Sequence, residues 1–178
     1  MNGTFGRCYN LETAPLLPDT VEDMTITFYH CESLKSVQEI PKNVKFLTST
    51  FINTKLVTVP DIPSNVVSLR QTFYNCTELE NVSIIIPNTV ERIDNMFLGC
   101  SKLHGIITVY ANIKEEANYL YFLANANKST DTDQELEIRC TEEIYNLYYD
   151  ETQANKLNKK VFGYSDSNIK LTKIENRN

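Results

Sequence analysis

Five cysteines, two histidines and two pairs of adjacent carboxylates are the residues of this 178-residue chain whose types could do chemistry. Cys8, Cys31, Cys76 and Cys100 could hold a metal, form disulfides or supply a nucleophile. Metal sites use short paired spacings such as C-x-x-C, whereas these cysteines fall one to each unit of a repeated segment, with Thr54 in the corresponding place of the third unit. Side chains stacked in register point the same way, so their Cβ atoms are poorly placed for the ~3.8 Å approach that a disulfide prefers. The four therefore read as a column of small, buried, reduced thiols, spaced at about the 4.8 Å of neighbouring strands. Cys140 lies outside the pattern and reads as a strand residue. His30 and His104 occupy different repeat positions, and neither has neighbours that suggest a triad. Glu115-Glu116 and Glu142-Glu143 each precede an apolar-periodic run and suit the first turn of a helix, where negative charge meets the positive end of the dipole. There is no P-loop, no G-x-S-x-G and no G-x-G-x-x-G. No catalytic residue, metal or cofactor is assigned, and the chain does not read as an enzyme.

The elements that must position these residues are repeats. Phe5, Phe28, Phe51, Phe73 and Phe97 are separated by 23, 23, 22 and 24 residues, a self-similar period in the range of solenoids. Leu11, Leu34, Leu56, Leu79 and Leu103 follow the phenylalanines, and then come Ala14, Val37, Val59, Val82 and Ile106. An apolar residue precedes proline in Leu17-Pro18, Ile40-Pro41, Ile62-Pro63 and Ile86-Pro87. Three residues past each proline stand Val21, Val44, Val66 and Val90, and three further Met24, Leu47, Leu69 and Ile93. These apolar positions recur by unit and follow no single helical period, so each coil contributes the same few side chains to a shared core. The prolines and the polar residues after them are turn chemistry that would break any helix spanning the unit.

The pattern F-x-x-C-x-x-L, then apolar-Pro-x-x-V-x-x-(L/M/I)-x-x-T-F, resembles the BspA-like leucine-rich repeats of bacterial and some protist surface proteins, over residues 1 to about 106. The resemblance implies an α/β repeat solenoid with coils of about 23 residues and short parallel strands. It also implies a secreted or surface-displayed protein that adheres to host proteins, cells or other bacteria, with no family catalytic residues to carry over.

Composition sets limits. A hydrophobic content of 42% suffices for a continuous core. A net charge of -6 and a pI near 5.0 argue against nucleic acid, which needs a basic stripe. No run of about 18 apolar residues is present to span a bilayer, and the N-terminal MNGTFGRCYN has no apolar segment of a secretory signal. Met1 precedes Phe5 by the same four residues as Met24 precedes Phe28, so the chain begins in phase with a repeat. A solenoid end needs a polar cap. Either the chain is cut from a longer array, which would also remove a signal peptide, or another chain covers the open end, with self-association there as one option.

After about Leu103 the wording of the repeat changes. GIITVYANI reads as a strand, KEEANYLYFLANANK as a helix with Ala117, Leu120, Tyr121 and Ala124 on one face, and NKSTDTDQ as a polar loop. QELEIRC reads as a second strand. TEEIYNLYYDETQANKLN reads as a second helix, with Thr141 as N-cap and Ile144, Leu147 and Tyr148 on its apolar face. KKVFGY and NIKLTKI suit one or two short strands, and ENRN a frayed end. The chain thus divides into an array over residues 1–106 and a C-terminal β-α cap over 107–178.

The most ligand-like feature is the row just after each Phe: Gly6, Tyr29, Ile52, Tyr74 and Leu98, followed by Arg7, His30, Asn53, Asn75 and Gly99. Tyrosine offers contact area with a polar tip at small entropic cost. Tyr29, His30, Tyr74 and Asn75 are the candidate partner-binding residues, although packing beside the Phe column accounts for the row equally well. A second row, Glu12, Lys35, Val57, Glu80 and Lys102, mixes signs and reads as a solvated face. Two functions are compatible with this reading. One is a non-enzymatic scaffold that binds protein or glycan on a host or neighbouring cell, as part of a bacterial adhesin-type surface protein. The other is a structural spacer or a terminal piece of a surface or phage appendage.

Overall fold

The structure is a computed structural model that describes residues 1–111, 113, 115–124, 126–127, 134–153, 157–162 and 168–175. Each coil turns sharply around its phenylalanine. In the second coil, Thr27 N–H bonds the Met24 carbonyl and Cys31 N–H bonds the Phe28 carbonyl, closing two turns whose third residues are Ile26 and His30. Both have positive φ, as do their counterparts Gly3, Ser49, Gln71 and Asn95 on one side of the ring, and Arg7, Asn53, Asn75 and Gly99 on the other. A type II turn needs positive φ at this place, which explains the glycines and asparagines. The prolines open a third bend, in which Val21, Val44, Val66 and Val90 each donate N–H to the proline carbonyl three residues back.

The coils stack through hydrogen bonds from one turn to the next. Phe28, Phe51 and Phe73 donate N–H to the carbonyls of Thr50, Thr72 and Met96. The rings stack as a result: Phe5, Phe28, Phe51, Phe73 and Phe97 have successive centroid distances of 5.3, 5.6, 5.5 and 5.4 Å and lie within 9° of parallel. Met24, Leu47, Leu69 and Ile93 form a second buried column, and Leu34, Leu56, Leu79 and Leu103 a third. Buried hydroxyls serve the ladder as well. Thr27 donates to the Met1 carbonyl, and Thr50 and Thr72 donate at 2.9 Å to those of Met24 and Leu47.

The thiol column has the expected placement with one correction. Cys31, Cys76 and Cys100 are buried, and each Sγ donates at 3.0 Å to a carbonyl of an earlier coil, from Phe5, Phe51 and Phe73 respectively. Thr54 sits in the same column, 3.2 Å from Cys76 Sγ. Cys8 is exposed, and among the described residues no bond joins its Sγ to a carbonyl.

Between the turns, coils one to three pair only through isolated parallel bridges such as Thr13 with Ser36. From coil four onward a continuous parallel sheet forms in the order β1 (Val82–Ile86), β2 (Gly105–Val109), β3 (Leu136–Cys140) and β4 (Ile169–Lys173). Alternate residues of β1 and β3 are buried, as expected of strands with one face on a core. Gly105 is required where β2 begins. Its φ is +105°, and a Cβ there would fall 2.2 Å from the Val82 carbonyl oxygen.

The C-terminal segment departs from the sequence reading in three places. The helix expected over KEEANYLYFLANANK is not formed among the described residues. A 3-10 turn, Glu116–Asn118, leads into a sixth repeat of the turn, with Tyr121 in the left-handed conformation. The reason is the ladder: Ile93, Asn95, Phe97 and Gly99 donate to the carbonyls of Asn118, Leu120, Phe122 and Ala124. Inter-coil bonds of this kind take the groups that an isolated helix would pair with itself. By this register Leu123 occupies the phenylalanine position, and Phe122 is tilted by 51° against Phe97. The second expected helix is shorter than expected. Helix α1 runs Glu142–Tyr148 and packs on β3 and β4, with Ile144 and Tyr148 buried and Leu147 partly so. It ends because Tyr149 turns extended and bridges Leu157, and Thr141 caps it without a side-chain bond. Residues KKVF, expected as a strand, form the four-residue helix α2, Lys159–Phe162. Most of the NKSTDTDQ loop and the final three residues lie outside the described residues.

Candidate partner-binding surface

The row after each phenylalanine is built by the second left-handed turn. His30, Asn53, Asn75 and Gly99 hold φ between 54° and 82°, and their N–H groups donate to the carbonyls of Ile52, Tyr74, Leu98 and Ala124 in the next coil. The side chains then form a ladder of their own. His30 Nδ1 lies 3.3 Å from Glu32 Oε1, His30 Nε2 lies 2.9 Å from Asn53 Nδ2, and Asn75 Nδ2 donates at 2.6 Å to Asn53 Oδ1. A Cβ on Gly99 would meet Asn75 Oδ1 at 3.1 Å, so the next residue in line keeps close to the ladder by having no side chain.

Two of the four candidates, His30 and Asn75, are thus joined through Asn53. Tyr29 and Tyr74 are half-buried and stand two coils apart, with the buried Ile52 between them. The Tyr29 ring meets the His30 ring edge-on at 4.3 Å. Chemically the row can offer two phenol tips, an imidazole and a carboxamide along a line, on a backbone fixed by its turns. It gathers no nucleophile beside a base. His104, in another position, bonds the Lys102 carbonyl at 3.0 Å.

The mixed-charge row is an ion-pair surface. Lys35 reaches Glu12 at 3.6 Å and Lys102 reaches Glu78 at 2.6 Å, with Lys42–Asp19 and Lys45–Glu22 bridging coils in the same way. These side chains are well exposed, so their pairing aligns the coils more than it stabilises them. The hydrogen bond to Lys102 holds the Glu78 carboxyl below its usual range and Lys45 does the same for Glu22. One charged group is different in kind and has no mark in the sequence. Asp94 is buried between Arg70 and Arg92.

Six copies of the BspA type leucine rich repeat region match residues 1–128. In three dimensions the chain is similar to the crystal structure of a leucine-rich repeat protein from Bacteroides ovatus ATCC 8483, with a TM-score of 0.52 and 23% identity. The similarity covers 79% of this chain and 46% of that one, so the chain matches less than half the length of that relative. No curated protein matches it.

Proposed function

Because the chain belongs to the BspA-type leucine-rich repeat family, we propose that it is a non-enzymatic scaffold for binding a protein or glycan partner, and part of a bacterial surface protein of the adhesin type. The observation that carries this reading is the straight stacking of equivalent positions, visible in the near-parallel phenylalanine rings. Columns of this kind set variable residues in lines across coils and favour an elongated contact over a single cleft. Among the described residues no helix is long and apolar enough to cross a membrane.

In this proposal Tyr29 and Tyr74 anchor the partner, with His30 and Asn75 beside them. The left-handed turns fix the backbone beneath them, so little ordering is needed on binding. In the same proposal the segment that follows the sixth turn acts as a cap: β3 and β4 extend the stack while α1 lies over them. The test is to apply the labelled chain to immobilised host matrix proteins and to a glycan array, alongside a Tyr29→Ser/Tyr74→Ser variant that remains folded. Saturable binding that the variant loses by about tenfold or more, the scale of an interface anchor, is the expected result. Unchanged affinity would remove this row. An absence of binding to any surface would favour a spacer.

A further inference from the structure

Coils three to five carry a second surface on the face formed by the bridge residues. Phe46, Ser68 and Arg92 are successive parallel-bridge partners, and Thr48, Arg70 and Asp94 follow each of them by two residues. Residues two apart on an extended segment share a face, and Thr48 Oγ1 lies 3.0 Å from Ser68 Oγ on it. Within this patch Asp94 is 4% exposed. Its Oδ1 accepts from Arg92 Nε at 3.3 Å, and ion-pair contacts join its Oδ2 to Arg70 Nε at 3.1 Å and its Oδ1 to an Arg92 terminal nitrogen at 3.2 Å.

This grip has a consequence for the arginines. Asp94 meets Arg70 through Nε and Arg92 through Nε and one terminal nitrogen, which leaves both terminal nitrogens of Arg70 and one of Arg92 off the carboxylate, and the two side chains are still 44% and 41% exposed. Both forks are ordered before any ligand arrives, which lowers the entropic cost of using them. Phe46 stands two bridge positions from Arg92 and is 43% exposed, while every stacked phenylalanine from Phe28 to Phe97 is wholly buried. An exposed aromatic ring beside fixed arginines is the composition of an interface hot spot.

We propose that Phe46, Arg70 and Arg92 form a docking surface for an acidic segment of a partner protein, one that sets carboxylates on the two guanidiniums and an apolar side chain on the Phe46 ring. The charge pattern favours this occupant. The chain carries a net charge of -6, Asp23 is the bridge partner of Phe46, and Glu91 precedes Arg92 in the sequence. A dense polyanion such as a sulfated glycan would meet those carboxylates, whereas a peptide whose carboxylates are confined to the two guanidiniums avoids them. The proposal rests on the reading of the chain as a binding scaffold but uses a different face from Tyr29 and Tyr74.

The experiment is selection of a displayed random dodecapeptide library on the whole chain, with binders measured on three variants. Phe46→Ser removes the ring. Arg70→Gln/Arg92→Gln/Asp94→Asn removes all three charges together and so leaves no buried carboxylate unpaired, and thermal unfolding checks that it folds. Tyr29→Ser/Tyr74→Ser is the control. The expected result is peptides enriched in Asp or Glu next to an apolar residue, whose affinity falls by about tenfold or more in the first two variants and is unchanged in the third. Peptides without acidic enrichment, or with unchanged affinity for the first two variants, overturn the proposal. So does sensitivity of sulfated-glycan binding, or of self-association of the chain, to the charge-removing variant without such peptides. Peptides lost only in the tyrosine variant refute this surface and leave the scaffold reading standing, whereas recovery of no peptide and no glycan binding refutes both.

Discussion

The first three coils and the segment from coil four onward solve the same stacking problem by different means. In the first, the units are 22 or 23 residues long and the stretch between leucine and proline is short and polar, as in Val37-Gln38-Glu39-Ile40, or broken by proline, as in Val59-Pro60-Asp61-Ile62. Only isolated bridges form there, and the stack is held by turns, stacked rings and side-chain ladders. In the second, β1 is VSIII and β2 is GIITV, β-branched runs that sustain continuous pairing, and paired strands are 31 and then 33 residues apart from β2 to β3 and β3 to β4. The column of near-parallel rings runs on beside the sheet through Phe73 and Phe97 and ends at coil six, where Leu123 takes the register of the ring. Extra length is absorbed outside the sheet by α1 and α2. The comparison teaches that a constant turn lets the remainder of each coil vary.

The comparison is broken most directly at the ring column. Phe51 is wholly buried, 5.6 Å from Phe28 and 5.5 Å from Phe73. Phe51→Ala should destabilise the chain by about 3 to 5 kcal/mol, the range for a buried aromatic truncated to alanine. Chemical denaturation measures it, and a loss below about 1 kcal/mol would mean that the turns hold the first coils without their rings.

A smaller loss is expected within the second region, between its first two strands. Gly105→Ala imposes the left-handed φ of +105° on a residue with a Cβ, which costs about 1 to 3 kcal/mol, and the contact with the Val82 carbonyl must be relieved by moving β2 away from β1. The sharper readout is hydrogen exchange. Protection should fall in β1 and β2 while the amides of Phe28 and Phe51 keep theirs. Equal loss everywhere would show that the two regions unfold as one and that the contrast between them is only geometric.

The array was legible because its chemistry is written once per coil: Phe, Leu, Pro and Val recur, and an error at one unit is corrected by the others. The thiol column followed from the same register. The segment over Tyr119 to Ala124 was misread for a physical reason. Ala117, Leu120, Tyr121 and Ala124 have the spacing of a helical face, and the carbonyls of coil six that bind coil five are invisible to local periodicity. The candidate row was legible as a row, but the left-handed backbone that accounts for His30, Asn53 and Asn75 follows only from the turns, so the bond joining them could not be inferred. Arg70, Arg92 and Asp94 fall in units of different length, and their union depends on register between coils.

The least disruptive test uses the cysteines, which sample both regions. Burial pushes the Cys76 thiol up to about 11 and the Cys140 thiol in β3 up to about 12; it also raises Cys31 and takes Cys100 well above its ordinary value. At pH 8 these four are protonated and shielded, so a thiol reagent should label Cys8 rapidly and the others only on unfolding. The pH dependence has a definite sign. A thiol whose folded value is raised binds its proton more tightly in the folded state, so its contribution is complete below the ordinary value near 9 and is lost as pH rises through the folded value. The denaturation midpoint should therefore fall between pH 9 and 11. Replacing Cys76 and Cys140 separately by alanine should reduce that slope in each case. If only Cys76→Ala did so, the proton linkage would belong to the thiol column alone and not to strand β3, and rapid native labelling of several thiols would remove the buried column altogether.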